Sequence, residues 1–286
     1  MLEAGLVAAA AWAGGLVAVT RLQDRLIFGR PRAIRWAPSG PHQGHSTRAV
    51  SLSTADGETL QGWFTAPAAP ASGLVVWFAG RNENPAWVPR LATWLGPRWA
   101  LCAFSYRGGA GSTGRPSEQV CMEDAQAILH WGSAQTSLPA SRMLLVGRSL
   151  GSGVAVQLAA QQPVAGLVLL SPPASIRALA IRNPLLLPAV PWLRSPFDSL
   201  AHAHQVRSPS LVLLAERDRR VPHSESLKLV AALREPTSCT SRSCEVFTVL
   251  GTTHRSLARD ATTLETIAAF SRAIRQAGTN LGCESV

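Results

Sequence analysis

Residues 143–160 read MLLVGRSLGSGVAVQLAA. The run 143–146 is short and continuously apolar, the pattern of a strand buried on both faces. Gly147-Arg148-Ser149-Leu150-Gly151 follows, and from Gly153 to Ala160 the chain consists of good helix formers. A G-x-S-x-G segment between such a strand and such a helix predicts a serine on a sharp, strained turn with its hydroxyl exposed. Glycines two residues to either side let strand and helix pass closely. Ser149 is therefore the candidate nucleophile.

A serine hydroxyl is a weak nucleophile at neutral pH, so a histidine must take its proton and an acid must hold that histidine. Both partners should follow in the order serine, acid, histidine, past the carboxyl ends of strands, where α/β sheets carry their sites. The strand expected at 211–214 leads into Ala215-Glu216-Arg217-Asp218, and the one at 246–250 into Gly251-Thr252-Thr253-His254. Asp218 is the candidate acid, with Glu216 its competitor, and His254 is the candidate base. His223 is expected at the rim or at a helix start; His42, His45, His130, His202 and His204 have no strand-end context. Two backbone N–H groups should form an oxyanion hole. One is that of Leu150, directly after the nucleophile; the other is that of Arg81, in the turn after the strand expected at 74–78. This chemistry needs neither a metal nor a cofactor.

Outward from this elbow, the apolar runs 74–78, 100–104, 167–170 and 211–214 alternate with helical stretches such as 118–131, which opens at Ser117. An α/β fold with a mostly parallel central sheet flanked by helices is expected. Ahead of it, 48–53 alternates and Asp56-Gly57 turns into 59–65, an N-terminal antiparallel hairpin. The proline-rich segment 172–206 has no strand run and reads as a small cap inserted over one end of the sheet. Gly109-Ala110-Gly111-Ser112-Thr113-Gly114 matches G-x-G-x-x-G. It does not begin at a strand end, though, and lacks the acid that a dinucleotide site needs about 20 residues on.

The chain has 286 residues, 47% of them apolar, enough for one large core. Its net charge is +10. Lys228 is nevertheless the only lysine, and no basic stretch interleaves aromatics, which argues against a nucleic-acid partner. One basic cluster stands out: Arg21, Arg25, Arg30, Arg32 and Arg35, offset by Asp24 alone, behind the uncharged residues 4–20. That stretch is at the lower limit of the roughly 17–25 residues that cross a bilayer. Glu3 as the only early charge disfavours a cleaved leader, and a buried or interfacial helix is the further alternative. The expected organisation is a membrane anchor helix at 1–20, a basic juxtamembrane linker at 21–47, a catalytic domain at 48–278 and a tail at 279–286. The basic flank puts this single-pass protein's domain on the cytoplasmic face. Five cysteines cannot all pair, and Cys239 with Cys244 could close a small ring in an oxidising compartment.

With these residues in hand, the sequence resembles the single-domain α/β hydrolases of the serine aminopeptidase-like group, which includes membrane-associated lysophospholipid lipases and acyl-protein thioesterases. The resemblance covers about 26–275. It is carried by Gln23-Asp24-Arg25-Leu26-Ile27-Phe28, by Phe78-Ala79-Gly80 with Glu83-Asn84, and by Tyr106-Arg107-Gly108 with Gly111-Ser112-Thr113-Gly114. The elbow, Phe197-Asp198-Ser199, and Glu216-Arg217-Asp218 with Val221-Pro222 complete it. Where the group commonly has His-Gly-Asn or Gly-Gly-Asn, this chain has Ala79-Gly80-Arg81, which keeps the backbone donor and puts a long cation at the site's edge. Thr253-His254-Arg255 likewise stands where Gly-His-Asn is common. The resemblance implies the α/β-hydrolase fold and a Ser149–His254–Asp218 triad that cleaves a carboxylic ester or thioester with a lipid-like acyl part. Peptide or amide cleavage by the same triad is the alternative, and a catalytically silent membrane-bound scaffold is the third.

Overall fold

The computed structural model describes residues 2–31, 44–235 and 243–280; the side chains of 2–13, 16 and 277–280 lie outside that description. A helix, α1 (Leu2–Phe28), comes first. The hairpin follows, β1 (His45–Ser53) with β2 (Thr59–Pro67), paired antiparallel along their full lengths. Its turn is set by Gly57 at φ +85° and closed by the Thr54 amide on the Glu58 carbonyl. Six further strands are β3 (Gly73–Phe78), β4 (Trp99–Phe104), β5 (Met143–Arg148), β6 (Gly166–Leu170), β7 (Ser210–Arg217) and β8 (Cys244–Thr253). Every apolar run read as a strand lies inside one of them.

The eight strands form one sheet in the order β1-β2-β4-β3-β5-β6-β7-β8. It is parallel from β4 to β8, and β2 joins β4 antiparallel. The helices are α2 (Glu118–Thr136), α3 (Leu150–Gln161), α4 (Ile176–Ile181), α5 (Ser199–Ala203), α6 (His223–Arg234) and α7 (Ala261–Asn280). Because successive side chains point to opposite faces, each buried strand feeds two cores. Leu74, Val76 and Leu145 pack under α2, α3 and α6. Val75, Trp77 and Leu144 pack under α7 and the 3-10 segment Pro85–Thr93. The order reverses around β3, whose neighbours are β4 and β5, and that reversal opens a crevice beyond the carboxyl ends of β3 and β5.

Segment 172–206, called the cap below, lies between β6 and β7 and holds α4, the 3-10 segment Leu187–Trp192 and α5. Its base is closed by the Ile176 amide on the Pro196 carbonyl and the Ser199 amide on the Ala174 carbonyl. The loop 109–114 carries the G-x-G-x-x-G run. Thr113 N donates to the Thr59 carbonyl, and the Ser112 hydroxyl accepts from Gln61 N, so the loop is sewn to β2.

The N-terminus departs from expectation. The helix expected at 1–20 runs on to Phe28, and residues 21–28, read as linker, are its last turns. Among the described residues no helix is long and apolar enough to cross a membrane, so a single-pass anchor finds no support. The physical reason for the longer helix is docking. Gln23 donates to the Trp192 carbonyl (3.2 Å) and accepts from Arg194 N (2.8 Å), and Asp24 pairs with Arg194 (3.1 Å). Ile27 and Phe28 are buried, with Phe28 edge-on to Tyr106 and Phe197. Cys244 opens β8 as a free, buried thiol; Cys239, the other member of the ring considered above, lies outside the described residues.

Candidate active site

Ser149 joins β5 to α3 with φ +50° and ψ −114°, outside the regions that side chains ordinarily allow. Such a turn exists only where strand and helix touch. A Cβ on Gly147 would lie 2.6 Å from the Gly151 carbonyl oxygen and from the Ser152 Cα, so the glycine there is a packing requirement. The result lifts the serine hydroxyl to the crevice at the strand-order reversal.

His254 follows β8 and Asp218 follows β7, two neighbouring parallel strands that end on the same side. His254 Nε2 stands 3.0 Å from Ser149 Oγ, and its Nδ1 stands 2.8 Å from Asp218 Oδ2. Asp218 is almost fully buried, at 1% side-chain exposure, and its other oxygen accepts from the amides of Arg220 and Val221, both at 2.9 Å. Burial alone would raise this carboxyl. The hydrogen bond from His254, that from Val221 N and the attraction of the histidine outweigh it and hold the pKa at about 2. Glu216 faces away, accepting from Gly251 N at 2.8 Å. His223 starts α6 with its ring on the Ala215 carbonyl, 2.7 Å away.

Asp218→Asn is accordingly expected to lower turnover on the order of 10³-fold or more, and Glu216→Gln to stay within a few-fold. The reverse ranking in steady-state kinetics overturns the assignment of the acid. The depressed pKa also carries a pH signature. It contributes about 2 kcal/mol of stability, present above the unfolded carboxyl value near 4 and lost as pH falls through about 2. In denaturant titrations the gap between wild type and Asp218→Asn should therefore close below pH 4.

The turn after β3 is wired differently from its neighbours. Gly80 N donates to Glu83 Oε2 (2.6 Å) and Asn82 N to the Phe28 carbonyl (2.8 Å), so in this turn the amide of Arg81 is left without an acceptor among the described residues. Leu150 N, at the first position of α3, is in the same condition, as the first turn of a helix dictates. Tyr106 donates to the Ala79 carbonyl at 2.9 Å and steadies the turn.

Reading the sequence missed Arg148. It reaches Glu83 Oε2 at 3.0 Å and the His254 carbonyl at 2.9 Å, tying the loops after β3 and β8 to the elbow. Glu83 is 5% exposed and also holds Trp87 Nε1 at 2.9 Å. The signal was present: a cation in a buried elbow needs a counter-ion, and Glu83 is the only acid between Glu58 and Glu118.

Above these groups lies a cavity of about 1030 Å³. One wall is apolar, built from α1 and the cap with Ile27, Ile176, Leu179, Val190 and Leu193. The other is formed by loops at the strand ends and carries Ser149, His254, Arg81 and Leu150.

Comparison with known proteins bears on this arrangement. The alpha/beta hydrolase fold family matches residues 67–194. An uncharacterised protein of Mycobacterium tuberculosis is 35% identical over 218 residues, 73% of this chain and 78% of that one. The alpha/beta hydrolase domain-containing protein WAV2 of Arabidopsis thaliana is 31% identical over 214 residues, covering 67% and 68%. Among solved structures, a Pyrococcus furiosus esterase superposes with a TM-score of 0.66 at 18% identity, over 85% of this chain and 98% of its own. An acetyl xylan esterase from Paenibacillus sp. R4 gives 0.64 at 16%, over 92% and 93%. At those identities the two structures share the fold.

Proposed function

Since the chain belongs to the α/β-hydrolase family and is a hydrolase, we propose that it cleaves carboxylic esters or thioesters with a lipid-like acyl group, through Ser149, His254 and Asp218. The observation that carries this reading is the contact chain Asp218–His254–Ser149 at 2.8 and 3.0 Å, opening into a cavity with one apolar wall. His254 Nε2 takes the hydroxyl proton as Ser149 Oγ bonds to the acyl carbon. The carbonyl π electrons move to oxygen, where the amides of Arg81 and Leu150 receive the charge. Asp218 holds the imidazole in orientation and stabilises the imidazolium. Collapse breaks the bond to the alcohol or thiol, which leaves with the proton from His254. A water molecule repeats the sequence and frees the acid.

A panel of p-nitrophenyl esters from acetyl to palmitoyl, set against aminoacyl anilides, tests the reading. Each methylene buried on the apolar wall contributes about 0.8 kcal/mol, so kcat/KM should rise at least tenfold from acetyl to medium chains. Preference for anilides turns the assignment to a peptidase. No turnover together with no fluorophosphonate labelling leaves a scaffold.

We propose further that the enzyme works at the anionic, cytoplasmic face of a membrane by lying on it. Val17, Leu22 and Leu26 of α1 and Leu185, Leu187 and Trp192 of the cap are exposed, Leu185 at 85%, and Arg21, Arg25 and Arg30 are exposed on and just after α1. Apolar side chains rimmed by arginine suit the headgroup region of an anionic bilayer. Full-length protein should float with phosphatidylglycerol vesicles and less with phosphatidylcholine ones. Equal recovery without any vesicle overturns this part.

A further inference from the structure

We infer that the C-terminal end of α1 is a positioning part of the catalytic machinery: it holds the turn after β3, and through that turn the Arg81 amide, where the oxyanion forms. This rests on the hydrolase reading and adds to it a dependence of turnover on a helix outside the sheet.

α1 stops for two local reasons. Gly29 takes the left-handed conformation, φ +70°, and donates to the Arg25 carbonyl at 3.0 Å, a common helix C-terminal cap. Pro31 has no N–H with which to continue the ladder. In an unbroken helix the Arg30 amide would donate to the Leu26 carbonyl, four residues back. Here those two groups are parted, and the turn after β3 takes both. Arg81 Nε donates to the Leu26 carbonyl (2.5 Å), and Arg30 N donates to Asn82 Oδ1 (3.2 Å). The Phe28 carbonyl, past the last helical donor, accepts from Asn82 N at 2.8 Å. The helix dipole further favours a guanidinium at this end.

Helix end and turn also touch. Asn82 is itself left-handed, φ +57°, a conformation that asparagine tolerates better than most side chains. A Cβ on Gly29 would lie 2.7 Å from the Asn82 Cβ and 3.0 Å from its Cα, so glycine is what lets the two meet this closely. On the other side of the turn the Gly80 amide is held by Glu83 Oε2 at 2.6 Å. The amides of residues 80 and 82 are thus committed, one to a carboxylate and one to α1, and the amide between them is the one left for substrate. β3 fixes only where this turn begins.

An oxyanion donor acts over a narrow range, about 2.7–3.1 Å, and a misplacement of about 1 Å can cost on the order of 100-fold. Acyl binding draws on Ile27, Leu179, Val190 and Leu193. Loosening the turn should therefore reach kcat and spare KM.

Full-length Gly29→Ala, Asn82→Gly and the double variant test this in hydrolysis of p-nitrophenyl octanoate and in inhibition by an octyl trifluoromethyl ketone. The ketone carbon bonds to Ser149 Oγ while the hydroxyl proton passes to His254 and the carbonyl π pair becomes an oxyanion, so its affinity reads the hole directly. Gly29→Ala should lower kcat on the order of 100-fold and Asn82→Gly on the order of tenfold, with KM within about threefold. Inhibitor affinity should fall in step with kcat/KM. The double variant lacks the side chain that the new methyl strikes, so its kcat should return to within about threefold of Asn82→Gly alone. A merely structural contact lowers the melting temperature and leaves inhibitor affinity and kcat within about threefold of wild type; that result overturns the inference. Should Gly29→Ala be insoluble, Asn82→Gly carries the same decision, since residue 82 is exposed. Neither turnover nor fluorophosphonate labelling in wild type overturns the hydrolase reading, and the positioning role falls with it; a labelled, active wild type whose variants match it overturns the positioning role alone.

Discussion

Ser149→Ala is expected to abolish ester hydrolysis and active-site labelling by a fluorophosphonate, with kcat falling on the order of 10⁶-fold. The loss should be chemical and not structural. Alanine keeps the Cβ that already tolerates φ +50° at this position, and the missing hydroxyl has His254 as its side-chain partner. The melting temperature should stay within a degree or two. His254→Ala should cost at least 1000-fold for the same reason from the other side of the hydrogen bond. Mass spectrometry of probe-treated Ser149→Ala protein is the decisive measurement: label retained in the active site places the nucleophile elsewhere.

The second large effect is on folding. Gly151→Ala should destabilise the domain on the order of 3 kcal/mol or more, because the added methyl has no space to enter. Its Cβ would lie 2.6 Å from the Ala79 carbonyl oxygen and closer still to that of Phe78. Both are backbone atoms at the end of the central strand β3, which cannot move aside without breaking the ladder to β4 and β5. For a domain of this size such a loss lowers the melting temperature by about 6–12 °C, or leaves the protein insoluble. Gly96→Ala is the control. Its Cβ would meet Trp99 at an ordinary 3.8 Å, so thermal denaturation should differ from wild type by less than about 0.5 kcal/mol. Equal melting temperatures for the two variants would mean that close passage of α3 against β3 is not what the glycine serves.

The strand-turn-helix around Ser149 was legible because its signals are local: an apolar run of strand length, glycine where backbones touch, helix formers after it. Asp218 and His254 could be picked out for a related reason. In a parallel sheet every strand ends on the same side, so residues just past strand ends converge without any knowledge of side-chain packing. The hairpin at Asp56-Gly57 and the helix start at Ser117 are local in the same sense. Glu216 stayed a competitor because the strand's last residue is not legible from the apolar run; β7 runs on to Arg217, so Glu216 still belongs to it and Asp218 is the first residue past its end.

What the linear chain alone determined was thus the α/β alternation, the elbow and the strand ends at which the candidate acid and base stand, all set by periodicity and backbone conformation over a few residues. Only the tertiary structure decided that α1 docks on the cap through Gln23, Asp24 and Phe28, where residues 21–28 had read as linker. It alone joined Arg148 to Glu83 across 65 residues, left the Arg81 amide without an acceptor in its turn, and gathered six arginines among the residues that line one cavity. Those outcomes follow from desolvation and charge pairing between segments distant in sequence, and such energies depend on which surfaces meet, a quantity that no window of sequence contains.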